Sequence, residues 1–100
     1  MIQKELEIFI QQCKDNNTTQ RYYESQIDKN IKIWCQWYYG ECNTEIQFKK
    51  DNDKVFGDYC ISINDIVENG ILDKYIKAQQ NRIKKIGIDN YLKENKDYFL

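Results

Sequence analysis

The sequence predicts a mainly helical α+β domain, built from an N-terminal helical hairpin, a central antiparallel β-hairpin open to a third strand, and helices at the C-terminal end. Apolar residues recur at helical spacing over 2–14 and again over 71–86. Between these segments, residues 45–50 and 55–63 alternate apolar with polar, the period of a half-buried strand. At 100 residues the chain has one core to bury. With 41% hydrophobic and 14% aromatic residues, it can fill that core without a metal or disulfide staple.

The first helix is expected over 2–14, where Ile2, Leu6, Phe9, Ile10 and Cys13 form a narrow apolar stripe. Lys4, Glu5, Glu7, Gln11 and Gln12 fall largely outside it. Asp15-Asn16-Asn17-Thr18 is a turn, with Asn17 or Thr18 placed to cap the next helix.

Residues 19–40, TQRYYESQIDKNIKIWCQWYYG, are the stretch around which the rest is organised. They hold both tryptophans and four of the eight tyrosines, and neither Gly nor Pro interrupts them before Gly40. As a helix, Tyr23, Ile27, Ile31, Trp34 and Tyr38 share one stripe, opposite Ser25, Asp28, Lys29, Lys32 and Gln36. Tyr22, Ile33 and Trp37 widen the apolar arc, as in a helix packed on two sides, and Gly40 ends it. The competing reading is a strand over 31–39, in which Ile31, Ile33, Cys35, Trp37 and Tyr39 alternate with Lys32, Trp34, Gln36 and Tyr38. Two strands alone are marginal, which keeps this third strand in play.

In the hairpin, Ile46 and Phe48 face one side of the first strand, and Val55, Tyr59, Ile61 and Ile63 one side of the second. Residues 51–54 supply the turn. Asp51 and Asp53 are turn residues and not a calcium loop, because Phe56 and Ser62 stand where an EF-hand needs Gly and Glu. Ser62-Ile63-Asn64-Asp65 resembles a capping arrangement opening a short helix that closes at Asn69-Gly70. A longer helix runs over 71–86 to Gly87, a short one over 89–94 turns Tyr91 and Leu92 inward, and the aromatic tail over 97–100 docks on the core.

Composition narrows the function classes. The net charge of −1 gives no whole-protein field toward nucleic acid or anionic membrane. No apolar run approaches the ~20 residues that span a bilayer. The acidic residues Glu5 and Glu7 exclude a signal-peptide core, so the expected location is the cytoplasm, with thiols reduced. Cys13, Cys35, Cys42 and Cys60 show no CxxC spacing, and there is no histidine, so no metal or cofactor is expected. The same lack of histidine, of a nucleophile motif and of a glycine-rich phosphate loop argues against an enzyme.

Two features can carry function. Tyr22, Trp34, Trp37, Tyr38 and Tyr39 exceed what one stripe of a small core needs, and Tyr and Trp concentrate at protein interfaces. Trp37, Tyr39 and Tyr22, at the edges of the helical arc, are the rings expected to stay exposed for a partner protein or a homodimer seam. The other feature is the polar face of the 71–86 helix, with Lys74, Lys77, Gln80, Asn81, Arg82, Lys84 and Lys85. These residue types contact phosphates and base edges, and the outline resembles a helix-turn-helix. The leading expectation is stoichiometric protein binding. Small size, absent catalytic chemistry and an Ile/Lys/Asn-rich composition without Pro fit a phage- or mobile-element-encoded inhibitor of a host defence system, such as an anti-CRISPR protein.

Overall fold

The computed structural model describes residues 1–50, 52 and 55–99. The fold is α+β: helix α1 (Ile2–Asp15), strands β1 (Gln20–Gln26), β2 (Ile31–Tyr38), β3 (Glu41–Phe48) and β4 (Tyr59–Ser62), then helices α2 (Asn64–Glu68), α3 (Leu72–Ile86) and α4 (Ile88–Glu94). A 3-10 turn, Lys96–Tyr98, closes the chain. The strands form one antiparallel sheet in sequential order β1-β2-β3-β4.

The expected N-terminal helical hairpin is corrected by the fold. Its first helix stands, but residues 19–40 form β1 and β2 instead of a second helix, so the strand reading of 31–39 is the one realised. The break lies at Asp28-Lys29-Asn30, of which the helical reading placed Asp28 and Lys29 on a polar helix face. The Asp28 carboxylate accepts the backbone N–H groups of Asn30 at 2.7 Å and Ile31 at 3.0 Å. Short acidic side chains that capture nearby N–H groups in this way favour a turn over a helix. Asn30 is itself buried and donates its side-chain amide to the Lys49 carbonyl. Beyond the turn, Ile31, Ile33, Trp34, Trp37 and Tyr38 are residue types that pack well on a pleated surface.

Gly40 does not cap a helix. It is the second residue of the two-residue β2–β3 loop, and both Tyr39 (φ 48°) and Gly40 (φ 88°) have the positive φ of a type I′ hairpin.

The β3–β4 hairpin matches the expected central one, with β3 starting earlier, at Glu41, and β4 shorter. Val55 is not part of it and lies exposed. The turn expected at 51–54 and the Asp51/Asp53 pair lie outside the described residues, Asn52 apart, as does Leu100 of the tail.

Burial alternates along β2, with Ile31, Ile33, Cys35 and Trp37 inward and Lys32, Trp34, Gln36 and Tyr38 outward. Thr44, Ile46 and Phe48 of β3 continue the inward face. Leu6, Phe9 and Cys13 of α1, Val67 of α2, Leu72 and Ile76 of α3, and Ile88, Tyr91 and Leu92 of α4 join the same cluster. Among the described residues the helices therefore share one face of the sheet and leave the other without helical cover.

Two polar devices fix the helices. Asp73 accepts the N–H groups of Ile2 (2.9 Å) and Gln3 (3.3 Å), satisfying α1's first turn from across the fold. Buried Gln3 donates to the Val67 carbonyl and accepts the Leu72 N–H, stitching α1 to the α2–α3 junction. The capping arrangement expected at Ser62 is absent: α2 has no side-chain cap, and the Asn64 side chain accepts the Thr44 N–H instead. The tail docks as expected, with Phe99 against Phe48 and Tyr59.

Candidate functional site

The helix-free face of the sheet gathers four of the five aromatic residues singled out in the sequence. Side chains directly opposite in an antiparallel pair share a face. The register pairs Tyr22 with Gln36, Trp34 with both Glu24 and Glu45, and Tyr38 with Glu41. Tyr22 (53% exposed) lies against half-buried Trp34 at 6.0 Å between ring centroids. Its hydroxyl accepts the Gln20 side-chain amide at 2.7 Å and that of Gln36 at 3.5 Å. Tyr38 (49% exposed) stands beyond Gln36 and meets Tyr39 edge-on at 4.6 Å. Trp34, Tyr22, Gln36, Tyr38 and Tyr39 thus run as one band to the tip of the β2–β3 hairpin.

Trp37 does not belong to this band. It points inward at 5% exposure, and its indole N–H donates to the Thr18 carbonyl at 2.8 Å. The expectation that it stays exposed came from the helical reading. In a strand, three residues' separation places Trp34 and Trp37 on opposite faces.

Tyr39 is the most exposed ring of the band, at 67%, and the least comfortable one. Its φ of 48° lies in the left-handed region, where Asn and Gly are favoured and a bulky side chain is an outlier. Its N–H is held by the Thr19 carbonyl at 2.7 Å, which fixes the loop to the start of β1.

Charge frames the band. Glu24 and Glu45 flank Trp34 across both strand pairs, and Glu41 sits opposite Tyr38. Lys32 bridges Glu24 at 3.3 Å, and Gln47 donates to Glu45. At the far end, Lys32 and Lys49 lie over the Phe56 ring, at 5.1 and 5.4 Å from its centroid. The carboxylates around Trp34 were not singled out in the sequence, because only the cross-strand register brings them there.

The basic face of α3 is partly committed elsewhere. Arg82 makes a two-pronged contact with Glu94, at 3.1 and 2.7 Å, and Gln80 donates to Asp28 at 2.9 Å. Lys74, Lys77, Asn81, Lys84 and Lys85 are exposed. The short helix before α3 has five residues, and only Val67 of it is buried.

Among the described residues, no helix is long and apolar enough to cross a membrane. Comparison with protein-family models, with curated proteins and with solved structures gives no match for this chain.

Proposed function

We propose that the protein is a stoichiometric protein-binding domain whose contact surface is the helix-free face of the sheet. The observation that carries this reading is Tyr39. A bulky aromatic held at positive φ, largely exposed and continuous with Tyr38, Trp34 and Tyr22, costs stability where Asn would not. Strain of that kind at an exposed ring fits a residue retained for contact. Glu24, Glu41 and Glu45 around the band select a partner that presents Arg or Lys, which can stack on Trp34 while meeting a carboxylate.

The setting we infer is that of a phage- or mobile-element-encoded inhibitor acting in the host cytoplasm on a defence system, an anti-CRISPR or other anti-defence protein. Size and composition support this reading. A second copy of the chain is the other protein that this face could receive.

The test is an affinity pull-down of the tagged chain from nuclease-treated and untreated host lysate, followed by binding measurements with the recovered protein. One partner at fixed stoichiometry, surviving nuclease and lost with Trp34→Ala or Tyr39→Ala, is the expected result. The rival is a nucleic-acid-binding regulator using α3. It predicts recovery of nucleic acid, steep loss of binding with salt, and abolition by joint substitution of Lys77, Arg82 and Lys84 with Glu.

A further inference from the structure

The four cysteines are free thiols, and two of them meet across the inner face of the sheet. Cys35 on β2 and Cys42 on β3 sit on a diagonal of the ladder, since Cys35 pairs with Thr44 and Cys42 with Trp37. Their sulfurs are 3.0 Å apart. A disulfide needs about 2.05 Å, so the two sulfurs stand about 1 Å beyond bonding distance. The Thr44 hydroxyl lies within reach of both, 3.5 Å from the Cys35 sulfur and 3.7 Å from that of Cys42.

The two thiols differ in access. Cys35 is wholly buried, whereas Cys42 is half-buried near the hairpin tip. β4 pairs with Glu45–Phe48 of β3, so among the described residues no further strand lies beside Cys42 at the sheet margin. Two clefts open on it. One, of about 280 Å³, is bounded by Lys14, Trp37, Thr44 and Val67; the other, of about 700 Å³, by Gln36, Tyr38, Asn43 and Asn64.

We propose that Cys42 and Cys35 form a thiol–disulfide exchange site, with Cys42 as the attacking sulfur, Cys35 as the resolving one, and a low-molecular-weight disulfide such as glutathione disulfide as the oxidant. The Cys42 thiolate attacks one sulfur of the oxidant, forming a mixed disulfide and releasing one thiolate. The released thiolate takes up the Cys35 proton, and the Cys35 sulfur attacks Cys42 Sγ. The Cys35–Cys42 bond forms, the mixed bond breaks, and the second small thiolate leaves. In total, two protein thiols are oxidised to one disulfide and one small disulfide is reduced to two thiols.

The electrostatics favour this division of roles. The Cys42 thiol is lowered from its ordinary value, chiefly by its hydrogen bond with Cys35, with Thr44 and the Lys14 ammonium adding to it. Cys35 is pushed up, because its proton is held in that same bond and its sulfur is buried. Cys13 and Cys60 are both raised, chiefly by burial, and so are poor nucleophiles.

The site is tested on the purified full chain, equilibrated with mixtures of glutathione and glutathione disulfide, quenched in acid, alkylated and mapped by mass spectrometry. The expected product has one internal disulfide linking Cys35 and Cys42, with Cys13 and Cys60 alkylated only after denaturation. A brief native pulse of iodoacetamide should label Cys42 about tenfold or more faster than Cys60. Cys35→Ser should halt the reaction at the Cys42 mixed disulfide. A chain that keeps four thiols, a wild type that stops at the mixed disulfide, or a bond from Cys42 to Cys13 or Cys60 would each overturn the proposal. The wild-type mapping decides the matter even where Cys35→Ser fails to fold.

Discussion

Replacing Tyr39 by Asn should stabilise the fold and weaken binding at once. For an L-residue the left-handed region costs roughly 1–2 kcal/mol, and Asn is among the few side chains that tolerate it. Relief of about 1 kcal/mol is therefore available at φ 48°. Against it stands the edge-on contact with the Tyr38 ring, worth about 0.5 kcal/mol at so exposed a position. The N–H bond to Thr19 survives, because Asn keeps its backbone donor. The net gain is about 0.5 kcal/mol, and for a domain of this size it raises the melting midpoint by ~2–4 °C. If Tyr39 is an anchor, its loss should cost about 2 kcal/mol of binding, near 30-fold in affinity. Urea unfolding and calorimetric titration with the recovered partner measure the two effects. Tyr39→Ala separates them, removing the ring while leaving a side chain at positive φ. A destabilised Tyr39→Asn would refute the strain argument, and unchanged affinity would remove Tyr39 from the interface.

The two tryptophans should behave oppositely under urea denaturation: Trp37→Ala, which empties a core site and orphans the Thr18 carbonyl, should cost ~3–5 kcal/mol, whereas Trp34→Ala on the open face should cost about 1 kcal/mol or less. Asp73→Ala removes the acceptor for the Ile2 and Gln3 N–H groups and should lower stability by about 1 kcal/mol, with helix content lost first at the N-terminus by hydrogen exchange. Burial, and then the hydrogen bond to Glu5, raise Tyr23 from an ordinary value of 10.0 to about 12. The folded state thus keeps that proton through a pH range in which the unfolded chain releases it. Stability from this group is whole below pH 10 and falls as pH rises toward 12, and Tyr23→Phe should flatten that alkaline decline.

Local pattern determined much of this protein. The 3.6-residue spacing placed α1 within one residue of its observed end, and the spacing before Gly87 placed α3. Alternation around Ile46, Phe48, Tyr59 and Ile61 found the β3–β4 hairpin. The excess of Tyr and Trp over 19–40 was plain in the composition of that stretch. Tertiary structure decided which way those rings point. Over 31–39 the apolar residues satisfy both a 3.6 and a 2.0 period, so spacing put the helix first and kept the strand as its rival. The Asp28 side chain settles the matter by capturing the N–H groups of Asn30 and Ile31 and turning the chain. The second turn was hidden because its Tyr-Gly pair lacks the Asn or Asp that usually marks a type I′ loop. Once the strands pair, register does the rest. It sends Trp37 inward to Thr18, sets Trp34 between Glu24 and Glu45, and brings Cys35 beside Cys42. Cross-strand neighbours are separated by many positions in sequence, and their proximity exists only after the backbone hydrogen bonds have fixed which residue lies opposite which.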